Sequence, residues 1–229
     1  MIPLHDDNPT RIFPVFTIAI IIACGLIFFW QLSLGSVLAE RAVYSLGAIP
    51  AVLFGIKQLP AELVIIPAWA TVISSMFMHG GWMHLLGNML YLWIFGNNIE
   101  DAMGHAKFLI FYLLCGIIAA LAHAIPDMQS TTPMIGASGA ISGVLGAYLL
   151  LYPHARVLVA IPFGFFIHTV RLPAGWVLAF WFILQLINSA VSGNEGVAWL
   201  AHVGGFVAGM VLLPLFKNKQ VVYFAPPRS

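Results

Sequence analysis

Six long apolar stretches constrain this chain more than any other feature of its sequence. They cover residues 12–34, 76–96, 106–125, 135–152, 175–193 and 197–216. A helix needs about 20 mostly apolar residues to cross the hydrocarbon core of a bilayer, and it satisfies its backbone hydrogen bonds within the segment. The chain is 61% hydrophobic and 7% charged, which is too little polar surface for a water-soluble globule. We therefore predict an all-α integral membrane protein with a bundle of six transmembrane helices over residues 12–216.

The distribution of basic residues predicts how the bundle is oriented. Only Arg41 and Lys57 lie on loops that follow odd-numbered stretches. The other seven lie on the N-terminal tail (1–11), the even-numbered loops and the C-terminal tail (217–229): Arg11, Lys107, Arg156, Arg171, Lys217, Lys219 and Arg228. Because cytoplasmic segments are enriched in Lys and Arg, both termini are expected in the cytoplasm. The compact core without a long targeting extension favours a prokaryotic inner membrane.

The segments between the stretches carry expectations of their own. The first loop, residues 36–75, is too long for a hairpin and is expected to lie along the outer membrane interface. Residues 156–173 are expected to form a structured cytoplasmic loop, and residues 221–229 a short disordered end. A net charge of +1 without a basic cluster excludes a nucleic-acid partner. Cys24 and Cys115 lie in the middle of stretches, which favours buried thiols over a disulfide.

Ionisable and polar residues within the stretches are the candidates for chemistry. All eight acidic residues lie outside the stretches or at their ends: Asp6, Asp7, Glu40, Glu62, Glu100, Asp101, Asp127 and Glu195. This argues against a membrane aspartyl protease, a zinc protease with His-Glu-x-x-His, and a carrier coupled through an intramembrane acid. The polar residues selected as candidates are His79, His84, Asn88, Ser138 and His202.

Three of these candidates have similar predicted depths. His84, Ser138 and His202 lie eight, three and five residues past the outer ends of even-numbered stretches. The average of about five residues is roughly 7 Å below the outer rim at 1.5 Å per residue. Asn88 follows His84 by one helical turn and shares its face. We therefore expect the four side chains to share one outward-facing cavity.

Within such a cavity, Ser138 is a candidate nucleophile. It lies in the sequence Gly136-Ala137-Ser138-Gly139, where small residues let another chain approach the hydroxyl. An amide in the first turn of a helix has no intrahelical acceptor and can donate to an oxyanion. His202 is the candidate base, and with no carboxylate nearby the two residues would form a dyad.

Packing alone could also explain several of these residues. The glycines have the spacing of close-packing helix seams, namely Gly136, Gly139, Gly143 and Gly146 in one stretch and Gly205 and Gly209 in another. His84 and Asn88 could be structural, and His79 could be an interfacial residue or a support for the site. Metal binding by the three histidines is disfavoured because no acid or Cys lies beside them, so no metal or cofactor is expected.

The combination and order of these segments resemble the rhomboid intramembrane serine proteases. The segments that carry the resemblance are residues 78–88 (MHGGWMHLLGN), 96–100 with Gly104, 136–139 (GASG) and 201–205 (AHVGG) with Gly209. The resemblance implies that Ser138 is the nucleophile, His202 the base, and His84 and Asn88 oxyanion donors. It also implies single-span membrane proteins as substrates, cleaved near the outer membrane face.

The chain departs from some rhomboids at two positions, and two other functions stay open. Trp69 is followed by Ala70 where some relatives have a Trp-Arg pair, and Ser142 stands where some have a Tyr that supports the catalytic His. A catalytically silent rhomboid-like protein would bind membrane clients without cutting them. A six-helix transporter would use the small-residue seams for helix movement.

Overall fold

The computed structural model describes residues 1–164, 166–191 and 198–226. Its helices are α1 Val15–Ser33, α2 Gly35–Leu46, α3 Pro50–Leu53, α4 Ala68–Ser74, α5 Trp82–Tyr91, α6 Asn97–Met103, α7 His105–Ala124, α8 Ser138–Leu151, α9 Ala174–Val191 and α10 Trp199–Phe216. Shorter helical turns cover Ala61–Leu63, Ser75–Phe77 and Leu92–Gly96. The strands are β1 Ile2–Asp6, β2 Arg156–Phe163 and β3 Phe166–Pro173. The predicted helical character of the chain is confirmed.

The structure does not establish the predicted count of six spans. Within the described residues, four helices are long and apolar enough to cross a membrane by themselves, namely α1, α7, α9 and α10. The second predicted span, 76–96, falls on two helical pieces, Ala61–Phe77 and Trp82–Met103, which meet at an angle of 81°. His79, Gly80 and Gly81 lie in the break, and the extended backbone at Gly81 (φ 166°) ends any continuous helix there.

The fourth predicted span, 135–152, contains α8, which is only 14 residues long. At 1.5 Å per residue it extends about 21 Å, less than the thickness of a hydrocarbon core. Every residue from 139 to 148 is buried within the protein. Because α8 is enclosed by other helices, it presents little surface to lipid and does not need the full length of a lipid-facing span.

Glycines bring α8 into backbone contact with its neighbours. A Cβ atom added at Gly143 would lie 2.5 Å from the Cβ of Cys115 on α7. On α10, a Cβ at Gly205 or Gly209 would collide with the carbonyl oxygens of Gly139 and Gly143. The expected packing seam is therefore confirmed, and Ser138 lies at its end.

The expectation of an all-α protein is wrong in one respect, because the chain contains a three-stranded antiparallel sheet in the order β1-β2-β3. The loop expected over residues 156–173 is the β2-β3 hairpin, with a positive φ of 59° at Gly164 in its turn. The predicted N-terminal tail contributes β1. Val157 and Val159 are fully buried with Leu158 between them, and this two-residue alternation of β-branched residues is typical of a strand.

The predicted disorder after residue 221 is wrong as far as residue 226. The backbone amides of Phe224 and Ala225 donate to the carbonyls of Leu150 and Leu151 at 2.9 and 2.8 Å. Both terminal segments therefore lie at the same end of the bundle, beside the sheet and the end of α8. Several predicted features lie outside the described residues, namely Glu195, Arg228, residues 192–193 of the fifth stretch, residue 197 of the sixth and residues 227–229.

Two further expectations from the sequence concern the cysteines and the first loop. Cys24 and Cys115 are free and buried, as expected. The loop between α1 and α5 is built from α2, α3, α4 and two short turns. Its position along the membrane interface stays a prediction.

Candidate active site

A cavity of about 900 Å³ opens between α5, α8, α9 and α10. His84 and Asn88 reach it from α5, Ser138 from the start of α8, and His202 from α10. The four side chains with the predicted common depth therefore line one cavity. Most of its other lining is apolar or glycine, so these are polar groups in an otherwise apolar space.

Ser138 is the first residue of α8, so its backbone amide belongs to the turn that has no intrahelical acceptor. Its side chain is half-buried and lines the cavity. Ser142, one turn further on, is fully buried and donates its hydroxyl to the Ser138 carbonyl at 2.6 Å. The two serines therefore differ: the Ser142 hydroxyl is engaged within the helix, whereas the Ser138 hydroxyl is not.

His202 is held by residues of α9 and α10. Its Nδ1 lies 2.8 Å from Oε1 of Gln185. Its ring lies 5.8 Å from the Trp181 ring and 6.0 Å, edge on, from the Trp199 ring. Where some rhomboids use a Tyr at the position of Ser142, two tryptophans pack on this imidazole.

Within the described part of the chain, no hydrogen bond joins Ser138 Oγ to His202. Hydrogen bonds between a nucleophile and its base are often long in unliganded sites and tighten when substrate binds. The structure therefore places Ser138 and His202 in one cavity, but not at hydrogen-bonding distance from each other.

The hydrogen bonds of His84 define its tautomer. The Gly80 amide donates to His84 Nδ1 at 3.3 Å, so that nitrogen carries the lone pair and Nε2 carries the hydrogen. A Cβ atom built on Gly136 would lie 2.6 Å from His84 Nε2 and 3.8 Å from Asn88 Nδ2. Both donors thus converge on the backbone two residues before Ser138.

Gly136 is required at this point for two reasons. Its φ of 121° is a conformation that L side chains rarely adopt. A side chain there would also displace His84 from its place beside the backbone. Asn88 Nδ2 is buried without a hydrogen-bond partner in the described structure. Because Asn88 lines the cavity, this donor is placed to bond a group that enters the cavity.

His79 does not line the cavity but lies behind it. Its ring is buried and meets the His84 ring edge on, at 5.1 Å between centroids. Its backbone exchanges two hydrogen bonds with the Gln31 amide, at 3.1 and 3.3 Å. His79 therefore packs against an oxyanion candidate. Among the described residues, no three His, Cys, Asp or Glu side chains are arranged to hold a metal ion.

The sequence analysis overlooked Gln185, Trp181 and Trp199. Gln185 is a polar residue in the apolar segment 177–187 of α9, and that was a usable signal. The tryptophans had no such signal, because aromatic residues are common in membrane helices and only the tertiary structure shows which ring they touch.

Comparisons with known proteins show the family of the chain. The Rhomboid domain model matches residues 67–219. The chain is 29% identical over 194 residues to yeast "Rhomboid protein 1, mitochondrial", covering 75% of this chain and 52% of that protein. It is 28% identical to "Putative rhomboid protease YdcA" of Bacillus subtilis, covering 76% of this chain and 87% of the relative.

A third relative is "Rhomboid protease GluP" of Bacillus subtilis, which is 32% identical over 69% of this chain and 28% of its own length. This chain thus spans about half the length of the yeast relative and a smaller part of GluP. The family match covers well over half of the chain. The chain belongs to the rhomboid family and is a multi-pass integral membrane protein.

Proposed function

We propose that this chain is a serine endopeptidase that cuts transmembrane segments of other membrane proteins, with Ser138 and His202 as a catalytic dyad. The observation that carries the proposal is the cavity in which Ser138 and His202 meet two hydrogen-bond donors, His84 Nε2 and Asn88 Nδ2. Two relatives, YdcA and GluP, are named as proteases, and this supports the same activity.

The mechanism follows from the position of each group. Ser138 Oγ attacks the scissile carbonyl carbon, and its proton passes to His202 Nε2. The developing oxyanion receives hydrogen bonds from His84 Nε2, Asn88 Nδ2 and the Ser138 amide. His202 then gives its proton to the leaving amine. In the second half, His202 takes a proton from the water that attacks the acyl-enzyme, and it returns this proton to Ser138 Oγ as the acyl group leaves as a carboxylic acid.

The substrate and the membrane arrangement are part of the proposal. A single-span substrate must unwind locally, because the carbonyls of an intact helix are occupied by its own hydrogen bonds. Counting the helical piece Trp82–Met103, which follows the bend, and the enclosed α8 as one span each gives six spans together with α1, α7, α9 and α10. The positive-inside distribution supports cytoplasmic termini. With this orientation, the outer ends of the even-numbered spans carry Ser138, His84 and His202, so cleavage is proposed near the outer face of a prokaryotic inner membrane.

The test uses a fluorophosphonate probe, an electrophile that only an activated serine attacks at a useful rate, with fluoride as the leaving group. The detergent-solubilised protein should be labelled at one site, and the label should be absent from Ser138→Ala and His202→Ala. Ser142→Ala is the matched control, because its hydroxyl is engaged with the Ser138 carbonyl, and it should retain the label.

Three outcomes would contradict the protease assignment. Labelling that persists in Ser138→Ala would show that another residue reacts. A folded wild-type protein without any labelling would favour a silent, client-binding rhomboid relative. Substrate-dependent flux that survives Ser138→Ala in proteoliposomes would favour the transporter alternative.

A further inference from the structure

Gln185 is a buried amide within the otherwise apolar segment 177–187 of α9. Its side chain is 6% exposed, whereas Ile183 and Leu186 nearby on α9 are exposed. Burying an amide in an apolar environment costs several kcal/mol (about 2–7) unless it is hydrogen-bonded. Both ends of this amide are bonded, so its partners show what the residue does.

The partners determine the orientation of the amide. Gln185 Nε2 donates to the backbone carbonyl of Trp181 at 3.1 Å, and a carbonyl can only accept. The other end, Oε1, therefore faces His202 Nδ1 at 2.8 Å. Since Oε1 is also only an acceptor, Nδ1 must carry the imidazole hydrogen. The neutral His202 ring then has its lone pair on Nε2.

We propose that Gln185 is a positioning residue that holds His202 in the tautomer and orientation that a general base for Ser138 requires. The inference rests on the proposed function. It extends the expected dyad to a chain of three residues, Ser138, His202 and Gln185. The amide plays the orienting part that a carboxylate plays in a triad, and it places no buried negative charge in the membrane interior.

The packing of His202 supports this role. Trp181, whose carbonyl orients the amide, also places its ring 5.8 Å from the His202 ring. One turn of α9 thus supplies both the hydrogen bond and the aromatic surface that hold the imidazole. The other titratable groups that influence His202 electrostatically are His84 on α5 and His123 on α7.

The experiment compares Gln185→Met, Gln185→Glu and the control Ile183→Met, all as full-length protein with a reconstituted single-span substrate. Gln185→Met keeps the length of the side chain but removes the acceptor. We expect kcat to fall by about 10- to 100-fold with little change in KM, less than the 10²–10⁴-fold typical of losing general-base catalysis altogether. Ile183→Met, whose side chain is half exposed to lipid, should behave like wild type.

The pH profile of Gln185→Glu distinguishes a positioning role from a purely structural one. Its carboxylate still accepts from His202 Nδ1 and stabilises the imidazolium, so the acid limb of the kcat/KM profile should move to higher pH. Turnover at high pH should be retained. All rates are expressed per fluorophosphonate-reactive site, which separates an effect on chemistry from a loss of folded protein.

The possible outcomes separate this inference from the proposed function. If wild type neither reacts with the probe nor cleaves substrate, the proposed function fails, and the inference fails with it. If wild type is active and Gln185→Met equals Ile183→Met in kcat per reactive site, the positioning role is wrong. If Gln185→Met does not fold, Gln185→Glu decides, and an unshifted acid limb overturns the inference.

Discussion

Two polar clusters are buried in this apolar bundle, and they differ in how completely their hydrogen bonds are satisfied. The open cluster surrounds Ser138 at the start of α8 and lines the cavity. The closed cluster surrounds Glu100 and Asp6 and includes Tyr148, which lies about 15 Å further along α8. Both carry titratable side chains, so the difference between them is in their bonding.

In the closed cluster, Glu100 is fully buried and binds the beginning of α1. Its carboxylate accepts hydrogen bonds from the Phe16 amide at 2.9 Å and from the amide and hydroxyl of Thr17 at 2.8 Å each. His105 Nδ1 lies 2.6 Å from the same carboxylate. The first amides of a helix have no intrahelical acceptors, and a carboxylate is a favourable partner for them.

Asp6 extends the closed cluster to the sheet. Its carboxylate accepts from the Tyr148 hydroxyl at 2.6 Å and from Asn98 Nδ2 at 3.0 Å. Asn98 Oδ1 in turn accepts from Asn8 Nδ2 at 2.6 Å. These bonds connect the N-terminal segment to α6 and α8.

In the open cluster, by contrast, polar atoms remain without partners within the described residues. Asn88 Nδ2 is an unpaired donor at the cavity, and His79 Nε2 is unpaired behind it. Because His79 Nδ1 faces the Phe77 carbonyl at 3.3 Å, that Nε2 carries a lone pair. The polar groups of the closed cluster therefore hold segments of the fold together, whereas the open cluster leaves an unpaired donor at the cavity, where under the proposed function it would act on a substrate. Substitutions at the open end should affect activity, and substitutions at the closed end should affect stability.

The largest expected effect is on activity, in Ser138→Ala. Turnover of a reconstituted single-span substrate should fall by more than about 10⁴-fold, because the nucleophile is lost. The free energy of unfolding should change by only about 0.5 kcal/mol, since the Ser138 hydroxyl makes no hydrogen bond in the described structure. A marked loss of thermal stability would contradict the division between the clusters.

Removal of one oxyanion donor should have a smaller effect. Asn88→Ala and His84→Ala should each lower kcat by about 10²–10³-fold, the usual consequence of losing a single donor. Leu86→Ala, an exposed position on the same helix, is the control and should keep wild-type turnover. Unchanged kcat in both Asn88→Ala and His84→Ala would place the oxyanion site elsewhere.

At the closed end, Glu100→Ala should reduce the free energy of unfolding by about 3 kcal/mol or more, because several buried donors lose their acceptor and each costs about 1–3 kcal/mol. Unfolding in detergent measures this loss. The fraction that remains folded should still react with a fluorophosphonate at Ser138. Glu62→Ala, which removes an exposed acid from the first loop, serves as the control. Equal stability of the two variants would refute the structural role of Glu100.

The smallest expected effect is the pH dependence at Asp6. Burial raises the pKa of Asp6 from 3.8 to about 6. Between these values the folded protein binds more protons than the unfolded chain, so this contribution to stability is present at low pH and declines as pH rises from about 4 to 6. The difference corresponds to at most about 3 kcal/mol. The melting temperature of wild type should therefore fall between about pH 4 and 6, relative to that of Asp6→Asn. Identical pH dependence of the two proteins would contradict the assignment.

Much of the helical architecture was predictable from the sequence, because hydropathy is a local property. The long helices α1, α7, α9 and α10 fall on predicted stretches. Strand β1 was missed because it forms only by pairing with β2, more than 150 residues further along the chain. The β2-β3 hairpin is local, and its alternating pattern was interpreted only as a structured loop. The bend between Phe77 and Trp82 was also missed, because an apolar pattern continues through a break in a helix.

By itself, the sequence determined that this chain is a helical membrane protein, and the depth of its polar residues predicted which four would line one cavity. The tertiary structure decided how those residues are held. A tautomer depends on the partner of the other ring nitrogen, and the partner of His202, Gln185, is 17 residues away on a different helix. Likewise, the beginning of α1 is capped by Glu100, more than 80 residues further along the chain. Hydrogen bonds of this kind depend on distances of a few tenths of an ångström between separate helices, and only packing sets those distances.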